Sequence, residues 1–397
     1  MGTAQVSMRG SSGLKALPPI TAGFNDMRFQ ASRPVLAGNE AKYVQEALTS
    51  GWICGHGSFV TMFEQKVSSF LNLEEGIAVC SGTAALQLAM RSMGVGPGDD
   101  VIVPALSFVA CANAVHYCGG NPVFADCDPI TGNLTAENIE AVVTPRTRGV
   151  LVVHMFGLPN PVEAVRQYCR QKGLWLVEDC AHSFGALVHG RSAGSFGDAA
   201  IFSFYGNKII STGEGGMFFA SDPQKRHFAR CLREQGLEPG RDHWHVLHGY
   251  NYRMHNLAAA IGCGQVEMAD YHIAERIRVA SRYRRNLRSL EESGIVRLPV
   301  EPAGTRRVYW LYSVVLCQGG RETRERVRDR ALKEFGIQTR PFYVPMHKIP
   351  LYKRDIQLPN AEFLGDHGFL LPTYSGLADE EVDDISQALR ICLAGKS

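Results

Sequence analysis

No stretch of this chain approaches the roughly 18 consecutive apolar residues that a membrane-spanning helix requires, so no span is predicted. Charge of one sign is also missing. Lysine and arginine total 41 against 39 acidic residues, a net charge of +2. With no single-sign field, composition points neither to nucleic acid nor to a membrane surface, and partners must be sought in local sites. The eleven cysteines are odd in number, none is spaced as CxxC, and no signal-like apolar run opens the chain. These features predict a reducing, cytoplasmic setting with free thiols rather than a disulfide framework. Internal repeats and low-complexity tracts are lacking too.

The 397 residues, 45% of them hydrophobic, are enough for a large domain and a smaller one. Residues 1–26 are rich in Gly, Ser and Pro without periodicity, and a flexible extension is expected there. Gly2 does not signal myristoylation, because Val6 stands where that signal needs Ser or Thr.

The apolar runs IAVC (77–80), VIVP (101–104), PVFAD (122–126), VLVVHMFG (150–157), LWLVED (174–179), AIFSFY (200–205) and MFFAS (217–221) read as strands. Helical stretches at 83–93, 107–117 and 161–172 separate them, which predicts a mostly parallel sheet covered on both faces. A large α/β domain is therefore expected over 27–270. Beyond it, a charged helix ending at Glu292, a strand over 307–316 and helices near 321–335 and 379–394 predict a smaller α+β domain, 271–397.

In open parallel sheets the ligand sits beyond the carboxyl ends of the strands. Four segments place chemistry-bearing residues at such ends: Ser81, Gly82 and Thr83, then Ser107 and Phe108, then Asp179, then Lys208. The SGT turn opens a helix whose free amides and dipole suit a phosphate, although Ser and Thr are also ordinary N-caps. Phe108 could stack on a flat ring or belong to the core. Lys208 lies in the glycine-bounded run SFYGNKIISTGEGG, and Asp179 ends an apolar strand. A desolvated lysine amine can form an imine with an aldehyde, and a carboxylate beside a pyridine nitrogen keeps it protonated. Together they are the pair that pyridoxal 5'-phosphate chemistry needs. The histidines 243, 245 and 248 lack a flanking acid or cysteine and read as a polar loop, so no metal site is predicted.

The segments CSGTAALQLAMRSMGVGPGDDVIVPALSFVACANAV (80–115), VEDCAHSFGA (177–186), GSFGDAAIFSFYGNKIISTGEGGM (194–217) and GYNYRMHNLAAAIGCGQVE (249–267) resemble, in order, the nucleotide-sugar aminotransferases of the DegT/StrS type. These are fold type I pyridoxal phosphate enzymes, and the resemblance covers about 28–390. Within the family, FSFYGNK, GYNYRM, RVYWLYSVVL and GIQTRPFYVPMH (336–347) are most similar to the GDP-perosamine synthase branch, which aminates the 4-keto carbon of a GDP-linked 6-deoxyhexose. A 3-keto sugar, a UDP- or dTDP-linked sugar, a cyclitol and a noncatalytic cofactor-binding regulator are the alternatives.

The resemblance implies that Lys208 carries the cofactor and that Asp179 faces its ring nitrogen. Gly82, Thr83 and Ser203 would hold its phosphate, Phe108 would stack on the ring, and Asn251 would reach the cofactor of a neighbouring subunit. A homodimer with shared sites follows, using L-glutamate and 2-oxoglutarate as the amino couple. His182 occupies the place where relatives carry a polar side chain, often Gln or Glu, against the cofactor. Phe184 stands where the family pattern has histidine. Some relatives carry histidine in place of the lysine and are dehydratases; Lys208 argues against that chemistry. For the sugar nucleotide, Arg253, Tyr309, Trp310 and His347 are candidates, and small-domain core is the competing reading for the aromatics.

Overall fold

The computed structural model describes residues 27–394, so the extension expected over 1–26 lies outside the described residues. A seven-stranded sheet forms the centre, with β1 (Ile77–Val79), β2 (Asp100–Pro104), β3 (Asn121–Ala125), β4 (Thr147–Val153), β5 (Trp175–Asp179), β8 (Ala199–Ser203) and β9 (Gly216–Ala220) in the order β1-β9-β8-β5-β4-β2-β3. Between β5 and β8, β6 (Leu187–Val188) and β7 (Arg191–Ser192) make a small ribbon with β11 (Thr305–Arg306). The smaller sheet, β10-β12-β14-β13, joins β10 (Val296–Arg297), β12 (Tyr312–Leu316), β13 (Arg340–Pro341) and β14 (Gly368–Leu371), antiparallel throughout.

Alternating residues of the central strands enter different cores, the signature of a sheet covered on both faces. Val101, Val103, Leu151, Val153 and Val177 pack with α3 (Gly82–Ser92) and α4 (Ala110–Tyr117). Ile102, Val150, Val152 and Leu176 face the other way, onto α5 (Ala136–Glu140) and α6 (Val162–Lys172). Further along that face, Ala78, Ala200 and Phe202 meet α2 (Ser58–Leu71) and α8 (Asn256–Glu267). Helices α1 (Glu40–Ser50) and α7 (Pro223–Arg233) complete the covering layers. The small sheet packs against α9 (Ala269–Glu292), α10 (Gly320–Phe335) and α12 (Asp379–Ala394), with α11 (Pro359–His367) beside them. No helix among the described residues is long and apolar enough to cross a membrane.

Two departures from the sequence reading bear on function. β9 runs antiparallel between β1 and β8, because the segment from 204 to 215 returns directly instead of crossing over through a helix. That return carries Lys208. The strand expected over 307–316 is strand only from Tyr312, since Tyr309 adopts φ 47 and breaks the extended run. Residues 307–311 instead cross from the ribbon to the small sheet, past the end of the large one.

Candidate active site

The carboxyl ends of β1, β2, β5 and β8 enclose a cavity of about 460 Å³, lined by Gly82, Thr83, Phe108, Asp179, His182, Ser203, Lys208 and Trp310 among others. Asp179 reaches it because β5 pairs with β4 and β8 to its last residue, opposite Val153 and Ile201. The preceding Glu178 points the other way and anchors the strand. It lies 3.0 Å from His154 Nε2 and accepts the amides of Gly194, Phe196 and Gly197. Burial alone would raise its carboxyl; the hydrogen bonds outweigh that and hold it below the usual range.

Asp179 is also buried, and its Oδ1 accepts from the Ala181 amide at 2.9 Å while Oδ2 accepts from Cys111 Sγ at 3.3 Å. Ser107 Oγ in turn donates to Cys111 Sγ at 3.3 Å. Burial pushes the Asp179 carboxyl up, against the Ala181 amide, the Cys111 thiol and the Lys208 charge. No arginine or lysine forms a direct ion pair with it among the described residues. A cation placed in the cavity against Asp179 would remove that desolvation cost.

Lys208 enters from the β8–β9 return, with its amide bonded to Tyr205 O at 2.9 Å and its Nζ 4.6 Å from the Trp310 ring centroid. Burial brings its ammonium down to about 8, partly opposed by Asp179 and assisted by Arg340. Such an amine is available as a nucleophile near neutral pH.

At the opposite wall, Ser81 caps α3 through Oγ to the Ala84 amide at 3.1 Å, and the first turn of α3 opens toward Ser203. A Cβ on Gly82 would stand 2.8 Å from Ser203 Cβ, so the close approach of turn and strand depends on glycine. Gly82→Ala is accordingly expected to widen this cradle and weaken cofactor binding roughly tenfold, measured by fluorescence titration of the cofactor-free protein. An unchanged affinity would remove the cradle from the account.

His182 is buried, stacks on Trp310 with ring centroids 3.9 Å apart, and holds Nε2 3.3 Å from the Tyr343 hydroxyl. Its Nδ1 has no hydrogen-bond partner among the described residues. Burial, then the Lys208 charge, pulls the imidazole well below its ordinary value, so it is neutral. A free helix terminus, an acid buried without a contacting cation and an orphaned ring nitrogen around one cavity fit a phosphorylated pyridine aldehyde.

His272, 2% exposed and 2.9 Å from Ser375 Oγ, is brought down to about 4 by burial. With His182 it makes two imidazoles that stay neutral when folded but bind protons near pH 6.5 when unfolded. The unfolded chain thus holds more protons below that pH, and stability is lost as pH falls, by up to about 1.4 kcal/mol per pH unit for each histidine. Urea unfolding between pH 6.5 and 5.5 checks this, and His272→Gln should flatten the slope by about one proton's worth. An identical slope in the variant would contradict it.

The remaining candidates lie at the cavity rim or elsewhere. Tyr309 packs in the small-domain core, its hydroxyl donating to Glu301 Oε2 at 3.4 Å. His347 is fully buried, 3.0 Å from Glu362 Oε1. Asn251 is exposed, and Arg253 pairs with Glu234 at 3.0 Å; neither lines the cavity of this chain. Phe108 is 55% exposed at the rim, 6.0 Å from the Tyr343 ring. Phe184 turns away from the cavity and stacks on Phe70 beneath the sheet. His243, His245 and His248 are exposed and form no cluster of potential metal ligands among the described residues. The sequence reading missed Cys111, Asn207, Glu214, Arg340 and Tyr343, which also line the cavity. Arg340 and Tyr343 sit within GIQTRPFYVPMH, a segment whose arginine and aromatics were a usable signal.

A family model described as the DegT/DnrJ/EryC1/StrS aminotransferase family matches residues 34–390. The chain is 41% identical over 366 residues to the GDP-perosamine synthase of Caulobacter vibrioides, covering 91% of this chain and 97% of that protein. It is 38% identical over 360 residues to the GDP-perosamine synthase of Escherichia coli O157:H7, covering 90% and 96%. Among solved structures it resembles the aminotransferase TlmJ from Streptoalloteichus hindustanus with a TM-score of 0.87 and 33% identity, over 92% of this chain and 99% of that one.

Proposed function

The chain belongs to the DegT/DnrJ/EryC1/StrS aminotransferase family, and on that premise we propose that its cavity moves the amino group of L-glutamate to C4 of GDP-4-keto-6-deoxy-D-mannose, giving GDP-perosamine. The architecture is that of fold type I, the chain is a sugar aminotransferase, and its cofactor is pyridoxal 5'-phosphate. When bound, that group supplies an aldehyde that takes up the amino nitrogen and an electron-poor ring that stores the electron pair of the broken C–H bond.

The residues divide the remaining work. The first turn of α3, with Gly82, Thr83 and Ser203, would hold the phosphate, and Phe108 and His182 would bound the ring. Asp179 would face the ring nitrogen and keep it protonated. Lys208 Nζ would tether the cofactor, and the same amine would accept the α-proton of glutamate and carry it within the cavity. The observation that carries the reading is the convergence of the Lys208 amine, the buried Asp179 carboxylate and the open α3 terminus on one cavity.

Residues 27–270 form the cofactor-binding unit in this reading and 271–397 the smaller unit, with α9 reaching into both cores. Asn251 serves the cofactor of a second copy in a homodimer, which suits its exposure and the exposed Trp52, Ile53, Tyr205 and Trp244. Arg253 and Trp310 are assigned to the sugar nucleotide. A cytoplasmic setting agrees with eleven unpaired cysteines. Initial rates with GDP-, UDP- and dTDP-linked 4-keto-6-deoxyhexoses test the substrate: the GDP sugar should have the highest kcat/KM. A higher value for either other nucleotide would overturn the assignment.

A further inference from the structure

Arg276, near the start of α9, is 2% exposed and has no carboxylate within ion-pair distance among the described residues. Burial brings its guanidinium down to about 10. A charge buried this way is costly, and an apolar residue would pack into a helix more cheaply. Its hydrogen bonds show what the charge holds. Nη1 donates to Trp310 O at 2.7 Å and to Thr373 O at 2.9 Å, and Nη2 donates to Lys208 O at 3.2 Å. The planar fork reaches three carbonyls at once, which a point-like ammonium cannot do as well.

Trp310 completes the arrangement. Its Nε1 donates to Asn207 O at 2.7 Å, its ring stacks on His182, and the Lys208 amine stands 4.6 Å from its centroid. The carbonyls of two consecutive residues, Asn207 and Lys208, are therefore each bound by a donor from outside the lysine turn. Both donors also connect to the small sheet, since Trp310 precedes β12 and Thr373 follows β14.

We propose that Arg276 and the indole N–H of Trp310 are positioning residues for Lys208: they clamp its peptide, aim its amine at Asp179, and couple the lysine turn to β12 and β14. The proposal rests on the reading of Lys208 as the reactive amine. It gives Trp310 a role independent of the sugar. A purely structural strut would stabilise the fold without tuning the amine.

The test uses the cofactor-loaded enzyme with Trp310→Phe, which removes the N–H donor and leaves a smaller aromatic ring in its place, and with Arg276→Lys. In each, the pH midpoint of the visible absorbance band of the lysine-bound cofactor is measured without sugar, alongside kcat, KM for glutamate and circular dichroism. The expected result is a midpoint moved by at least about half a unit. With it, kcat should fall roughly 10- to 100-fold while KM for glutamate stays within about twofold. A Trp310→Phe enzyme with wild-type midpoint and kcat overturns the proposal, as does a loss confined to KM for the sugar. If Arg276→Lys does not fold, Trp310→Phe decides alone. Lys208→Ala separates the two levels: retained turnover there sinks the reading of the site, whereas an inactive Lys208→Ala beside wild-type clamp variants sinks only the clamp.

Discussion

Lys208→Ala is expected to lower amino transfer from glutamate by about 10⁴-fold or more, because one side chain supplies both the tether and the moving proton. The environment of this lysine sets the size of the effect. Brought down to about 8, roughly a tenth of its population is neutral at pH 7, against less than a thousandth for an ordinary lysine. Among the described residues no other lysine lines the cavity. The variant should therefore keep its circular dichroism spectrum and bind cofactor noncovalently while 2-oxoglutarate release nearly ceases. Turnover within tenfold of wild type would show that another group does the proton transfer.

Asp179→Asn separates catalysis from stability. Losing the charge against the ring nitrogen should lower kcat by roughly 10²- to 10³-fold, the usual scale for one preorganised electrostatic partner. The fold should not suffer. Burial raises the Asp179 carboxyl, so the folded chain holds this proton more tightly than the unfolded chain does. Ionisation at neutral pH then costs stability in the cofactor-free protein, and asparagine relieves that cost. Thermal unfolding of the cofactor-free variant should occur at or above the wild-type temperature. A variant that is both fully active and less stable would reverse the assignment, making Asp179 a structural acid.

Much of the site was legible in the sequence because it lies at strand ends, where the chain announces itself. IAVC followed by SGT, LWLVED closing on an acid, and a lysine between glycines are local patterns, and the rule for open sheets places their ends together. The contribution of the small sheet was harder to read. Trp310 and Tyr309 are neighbours, yet one faces the cavity and the other a core, and the sequence does not mark which. Arg276 sits in HIAERIRVASRYRRNLRSLEE among arginines that mostly meet acids at the surface, as Arg278 and Arg282 meet Asp379. Its burial and its three carbonyl partners come from segments 34 to 97 residues away. Cys111 is similarly silent: a thiol in a helix becomes a donor to Asp179 only once β2 and β5 join one sheet with β4 between them.

The transfer of labelled nitrogen tests the central claim most directly. Wild-type enzyme is supplied with pyridoxal 5'-phosphate, glutamate carrying nitrogen-15 and GDP-4-keto-6-deoxy-D-mannose, and the GDP-sugar is weighed by mass spectrometry. The predicted product is a GDP-linked aminodeoxysugar carrying one labelled nitrogen in place of the keto oxygen, formed by wild type and absent with Lys208→Ala. A sugar that stays unlabelled while glutamate keeps its nitrogen, or label transfer that survives Lys208→Ala, would contradict it.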